Sequence, residues 1–105
     1  MIANKNARPY VQAHRPFQGS NTYAVWRDTP RRYVVYSYGI HWPLFIYDEA
    51  QGVWFENAAK FSRSTSRHRS QLHPRPEGGC LPLSATQMCN LAAGRPISEV
   101  IIRGD

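Results

Sequence analysis

The residues best equipped for chemistry lie in one run, KFSRSTSRHRSQLHPR, residues 60–75. It holds Lys60, Arg63, Arg67, Arg69 and Arg75, with His68 and His73 among them, and no acid occurs between Glu56 and Glu77. A guanidinium presents a planar fork of donors that meets phosphate or carboxylate oxygens in pairs and also stacks on flat rings. The interspersed Ser and Thr hydroxyls can bond the same oxygens. This composition supports a grip on an anion. An extended strip would put Arg63, Arg67 and Arg69 on one side and Ser62, Ser64, Ser66 and His68 on the other, whereas a helix would group Lys60, Arg63 and Arg67. The competing reading is a solvated loop whose cations pair with Asp48, Glu49 or Glu56 across a sheet. The grip requires the positive side chains of 60–75 to point outward as one continuous face.

Catalytic spacings do not occur. The chain has no G-x-S-x-G, no phosphate-binding glycine loop, no H-E-x-x-H and no C-x-x-C. Acid–base work would fall to His41, His68, His73 or the acids, and nothing in their spacing pairs them. Ser66 and Ser70 flank His68 so closely that a polar loop is the simpler reading. His68, His73 and Cys80 match no zinc-ligand pattern. The expectation is a protein that is not an enzyme and holds no metal and no cofactor.

Ten of the 13 aromatic residues fall between Tyr23 and Phe55. Aromatic rings fill the core of a small domain, or they stack on bases when exposed. Trp26, Tyr36, Phe45 and Phe55 are expected inside. Tyr33, Tyr38, His41 and Trp42 flank Gly39 and are the candidates for an exposed patch. The expected binding residues are therefore Lys60, Arg63, Arg67, His68 and Arg69 from the strip, with Tyr38, His41 and Trp42 beside it.

The elements that must position these groups form one α+β domain, a small four- to five-stranded antiparallel sheet with one short helix packed on it. With 105 residues the chain has room for a single core. Residues 1–21 read as an arm, broken by Pro9, Pro16 and Gly19, which Tyr10, Val11 and Phe17 could pin to the body. Residues 22–105 form the domain. Strands are expected at Thr22–Asp28, Arg32–Tyr38, Leu44–Asp48 and Val53–Asn57, with Pro43 at a strand start or an edge and a hairpin over Glu49–Gly52. In the second strand Tyr33 and Val35 face one way and Val34, Tyr36 and Tyr38 the other, so both faces are partly apolar. One face can pack on the later helix. The other is covered by the arm or left as an aromatic surface.

Pro74, Pro76, Gly78 and Gly79 read as a linker. Residues 84–93 read as a helix with a Ser84/Gln87 capping box, a Leu83/Met88 staple and Gly94 past its end. Ile97–Ile102 reads as a short final strand. Net charge is +6, nearly all of it in residues 58–75, a balance that favours polyanionic partners. Cys80 and Cys89 make no disulfide framework, no apolar run could span a bilayer, and the N-terminus lacks a signal-peptide core. A cytoplasmic protein with free thiols and no membrane partner is expected.

Residues 33–74, with the capped helix after them, resemble a family of small proteins encoded by bacteriophages and other mobile elements of bacteria. The block Tyr36–Pro43, the Trp54 hairpin and the Ser62–Pro74 segment carry the resemblance. It implies a setting and carries over no functional residues. Small accessory phage proteins commonly act on host machinery, including restriction and CRISPR defences, often by stoichiometric binding of a single small domain. The expectation that follows is an inhibitor, anti-CRISPR-like, of a host nucleic-acid-targeting complex in the bacterial cytoplasm. The alternative is a direct nucleic-acid-binding module using the basic strip and an aromatic sheet face. A third possibility is a component of a larger particle.

Overall fold

All six residues of the strand Arg32–Ser37 are buried. A strand reaches that state at the centre of a sheet covered on both faces. A computed structural model describes residues 1–38, 42–59 and 63–103, without the side chains at 63–65, 102 and 103. Its strands are β1 (Phe17–Gln18), β2 (Thr22–Arg27), β3 (Arg32–Ser37), β4 (Pro43–Asp48), β5 (Val53–Asn57) and β6 (Cys80–Leu83). Its helices are α1 (Arg8–Gln12), α2 (Arg63–Leu72), α3 (Ala85–Ala92) and α4 (Ile97–Arg103), with a 3-10 turn at Asn4–Asn6.

The strands lie in sequence order. β1 to β5 pair antiparallel, and β6 pairs parallel to β5. A parallel neighbour needs a crossover, and α2 supplies it. The result is a mixed six-stranded sheet with several short helices, where four to five antiparallel strands and one helix were expected. β6 escapes the sequence reading because CLPL is short and contains Pro82. Proline lacks the N–H of a ladder and is tolerated on an edge strand, where β6 lies.

The alternation in β3 divides the core as expected. Tyr33 and Val35 join Phe45 and Trp54 on one face, against Ala7, Val11 and Leu72. Val34 and Tyr36 join Ile46 and Phe55 on the other, against Met88, Leu91 and Val100. Val35 lies opposite Phe45 but Tyr36 lies opposite Pro43. Leu44 is therefore the extra residue of a β-bulge, which lets Leu44 and Phe45 enter the same cluster. The face that the arm was expected either to cover or to leave open is covered, by α1 and α2. Residues 1–21 also add β1 to the sheet, and the Ile2 N–H donates to the Gln18 carbonyl at 3.0 Å.

Helix α3 starts as its sequence dictates. Gln87 N–H donates to Ser84 Oγ at 3.1 Å, and Ser84 N–H donates back to Gln87 Oε1 at 2.8 Å. Residues 97–102 are a correction, because Ile97–Arg103 is a helix rather than a strand. Its β-branched residues favour a pleated surface, but the open place lies against α3, where Ile97 and Val100, one turn apart, reach the core.

One buried ion pair joins these layers. Arg32 Nε donates to Asp48 Oδ2 at 2.8 Å, and both side chains are 3% exposed. Arg32 Nη1 also donates to the carbonyls of Leu91 and Arg95, at 2.8 and 2.7 Å. Asp48 Oδ1 accepts the Gln51 N–H at 2.9 Å. The same guanidinium thus ties β3 to β4 and caps the C-terminus of α3, where a cation also opposes the helix dipole.

Removing one partner of such a pair strands the other charge in the interior. Arg32→Ala is therefore expected to destabilise the fold by about 3–5 kcal/mol. Arg95→Ala breaks only the exposed Arg95–Glu99 pair and is expected to cost less than about 1 kcal/mol. Urea denaturation of the two variants beside the parent checks the contrast.

Candidate functional site

The basic strip folds as α2 over Arg63–Leu72. A run this short in apolar residues forms a helix because its far end is held from outside. Arg8 Nε donates to the His73 carbonyl at 2.9 Å, and the Arg8 guanidinium also bonds the Ser70 carbonyl. Gln12 Nε2 donates to the Pro74 carbonyl at 3.0 Å. These donors from α1 satisfy carbonyls at and beyond the helix end and place a cation at its negative pole. Leu72 is fully buried and His68, one turn earlier, is 5% exposed, so this row faces the sheet.

Helical geometry turns successive residues by about 100°, so Arg67 and Arg69 do not share one outward face. Arg69 is turned to the sheet side and donates from Nη2 to Glu56 Oε2 at 3.0 Å. The carboxylate of Glu56 also lies 3.7 Å from His73 Nε2. Arg69 is thus matched inside the molecule, by one of the acids named for that role. Arg67 is exposed, and among the described residues no carboxylate pairs with it. Arg63 opens the helix, but its side chain lies outside the description. Lys60 and His41 lie outside the described residues.

A flank of α2 that includes His68 meets the N-terminal turn at a cleft of about 360 Å³. Its walls are Asn4 and Lys5 from the turn, Asn21 and Tyr38 from the ends of β2 and β3, and Arg67, His68 and Gln71 from α2. Three of the expected binding residues, Tyr38, Arg67 and His68, therefore converge. Lys5, Asn4, Asn21 and Gln71 were not anticipated. Their one signal is the Asn- and Gln-rich composition of the first 21 residues, and nothing local ties that segment to α2.

Tyr38 stands at the rim with 59% of its surface exposed. Its φ is 65°, the left-handed region that a bulky side chain avoids. Such a conformation costs on the order of 1–2 kcal/mol and persists because neighbours hold it. The Tyr38 N–H donates to the Asn21 carbonyl at 2.8 Å, and its ring lies 5.2 Å from that of His68. Asn4 is also fixed. Thr22 Oγ1 donates to Asn4 Oδ1 at 2.8 Å, leaving the Asn4 amide nitrogen as the donor for the cleft. A Cβ at Gly19 would lie 2.8 Å from both Asn4 Oδ1 and Thr22 Oγ1, so glycine is what lets these segments meet.

Other expected positions resolve differently. Tyr33, named for the exposed patch, is fully buried, and its hydroxyl donates to the Arg15 carbonyl at 2.7 Å. Trp42 is partly buried against the core and does not line the cleft. Tyr36, Phe45 and Phe55 are inside as expected, whereas Trp26 is only partly buried. The indole of Trp26 donates to the His14 carbonyl at 2.9 Å, and the Arg31 guanidinium lies 4.2 Å from its ring centroid.

The hydroxyl beside His68 belongs neither to Ser66 nor to Ser70 but to Ser37, whose Oγ lies 3.0 Å from His68 Nδ1. Ser37 has no exposed surface, so its hydroxyl cannot reach a substrate. The pair is a strut between β3 and α2. Burial lowers the pKa of His68, and the Arg67 charge lowers it further. Burial likewise pushes the Cys80 thiol up to about 12, which keeps it protonated. Among the described residues no group of three His, Cys, Asp or Glu side chains is placed to hold a metal ion, and no helix is long and apolar enough to cross a membrane. The chain matches no protein-family model, no curated protein and no solved structure.

The strut makes stability depend on pH. His68 is held neutral in the fold, with a pKa below the 6.5 of an unfolded histidine. Its contribution is complete above pH 6.5 and is lost as the pH falls from there towards the folded pKa, because the unfolded chain binds the proton first. His14 and His73 are also lowered, mainly by burial, and add to the same loss. Thermal melts from pH 7.5 to 5 are expected to show a falling midpoint. His68→Asn, which cannot titrate, is expected to flatten part of that fall, and an unchanged slope would remove His68 as a source.

Proposed function

We propose that this protein is a non-catalytic binding domain that grips the phosphates of a nucleic acid through the cleft between its N-terminal turn and α2. The observation that carries the reading is the convergence of Lys5 and Arg67 on a recess beside an exposed, conformationally strained tyrosine. Two cations give anion affinity, and the amides of Asn4, Asn21 and Gln71 can bond phosphate, sugar or base. Surface carboxylates pair with other arginines, at Arg31, Arg69 and Arg95, and among the described residues none closes the cleft.

The resemblance to phage and mobile-element proteins suggests where such a grip would act. An inhibitor that occupies a host nucleic-acid-targeting complex needs no catalysis and only a modest contact with the nucleic acid or with the acidic surface that complex presents. The small number of cations in the cleft limits how strongly charge alone can hold free polymer. Each neutralised phosphate steepens the salt dependence by about 0.7–0.9, so Lys5 and Arg67 together supply only a shallow, salt-sensitive affinity for free polymer.

Charge reversal tests the site against mere basicity. Arg67→Glu and Arg75→Glu change net charge equally, but Arg75 does not line the cleft. In a filter-retention assay at low salt, Arg67→Glu is expected to lose at least about tenfold in affinity, some 1.4 kcal/mol, and Arg75→Glu to lose much less. Equal losses would show that the cleft is not the site. Absence of retention at any salt would refute direct binding, leaving capture of a host complex, sensitive to Arg67→Glu, as the test of the inhibitor reading.

A further inference from the structure

The shape of the cleft constrains what kind of nucleic acid can enter it. Proteins read a duplex by pushing a helix or ribbon into a groove, because base edges lie at the groove floor. Here the polar groups line a recess, so the ligand must be what protrudes. An unpaired base protrudes from a single strand and a stacked pair does not. At about 360 Å³ the recess lies at the small end of ligand sites, which run from about 300 to 1,000 Å³. That is room for one nucleotide.

The lining groups sort by the parts of a nucleotide. Tyr38 is 59% exposed and is presented by a left-handed backbone, a disposition suited to offering its ring for stacking. Arg67 lines the cleft from α2 and Lys5 from the N-terminal turn, so each offers a cation to a backbone phosphate. The Asn4 amide oxygen is engaged by Thr22, and its NH2 group remains a donor. Gln71 and Asn21 add groups that both donate and accept. His68 lies beside the Tyr38 ring, 5.2 Å between centroids, and is itself held by Ser37.

We infer that the cleft takes one unpaired nucleotide of a single strand, its base stacked on Tyr38, its phosphate between Arg67 and Lys5, and its edge met by Asn4, Asn21 and Gln71. This rests on the reading of the protein as a phosphate-gripping domain and narrows it. Stacking supplies much of the affinity, so single strands are preferred to duplex and the base matters as well as the charge.

Fluorescence anisotropy with labelled oligomers about ten nucleotides long, within the usual site size for such binding, tests it. The probes are a thymidine strand, a uridine strand, a duplex of matched length and an abasic strand with the same number of phosphates. The expected result is measurable binding of a single strand, duplex at least about tenfold weaker, and the abasic strand weaker by roughly 5- to 150-fold, the range for one lost stack. The thymidine and uridine arms tell DNA from RNA. Tyr38→Asn tolerates the left-handed backbone, so it is expected to fold with a melting midpoint at or above the parent's. It should lose affinity for the base-bearing strand but not for the abasic one, and Tyr38→Phe should restore the difference. Equal affinity for duplex and single strand, or Tyr38→Asn binding like the parent, would overturn the inference while leaving phosphate binding intact. No binding of any probe would remove both.

Discussion

A guanidinium buried at the join of three elements holds this fold in register. Arg32 reaches Asp48 on the neighbouring strand and two carbonyls at the end of α3, and Asp48 in turn holds the hairpin backbone at Gln51. A charge removed from water is tolerable only when every donor finds an acceptor. Meeting that requirement places the acceptors on β4 and at the end of α3 around the guanidinium on β3. The other face has a matching device. Arg8 holds the carbonyls at the end of α2, so α2 and α3 are each fixed by an arginine at the negative pole.

The cleft follows from that second clamp. With α2 locked against α1 by its C-terminus and against β3 by the Ser37–His68 strut, one flank of it faces the N-terminal turn across a gap. The packing residues Leu72 and His68 determine which cations remain outside. Arg69 falls on the sheet side and meets Glu56, while Arg67, two residues earlier, falls on the cleft side. The same angular offset explains why a dense basic strip yields only a small described binding face.

Much of the scaffold was legible from local chemistry. The alternation in RYVVYS announced a strand apolar on both faces, and the Ser84/Gln87 box announced where α3 begins. The strip's cations were visible too, but the same pattern named Tyr33 and Tyr38 alike for an exposed patch, and of those two only Tyr38 is exposed. The errors share one cause. β6 has no strand signal of its own and exists because β5 offers an open edge. Residues 97–103 are helical because a helix face fits against α3. Tyr33 is buried because the first 15 residues fold over it and supply the acceptor for its hydroxyl.

From its order of residues alone, then, this chain specified its two-faced central sheet, its capped helix, and a store of arginine concentrated in a single stretch. Those depend on neighbours a few positions apart, and near neighbours interact whatever the rest of the chain does. Which arginine meets a carboxylate and which faces solvent, and the pairing of Asn4 and Lys5 with residues more than sixty positions away, depended on helix phase and on the closing of long loops. Contacts of that kind have no local signature, because they exist only once the two covers have docked on the sheet.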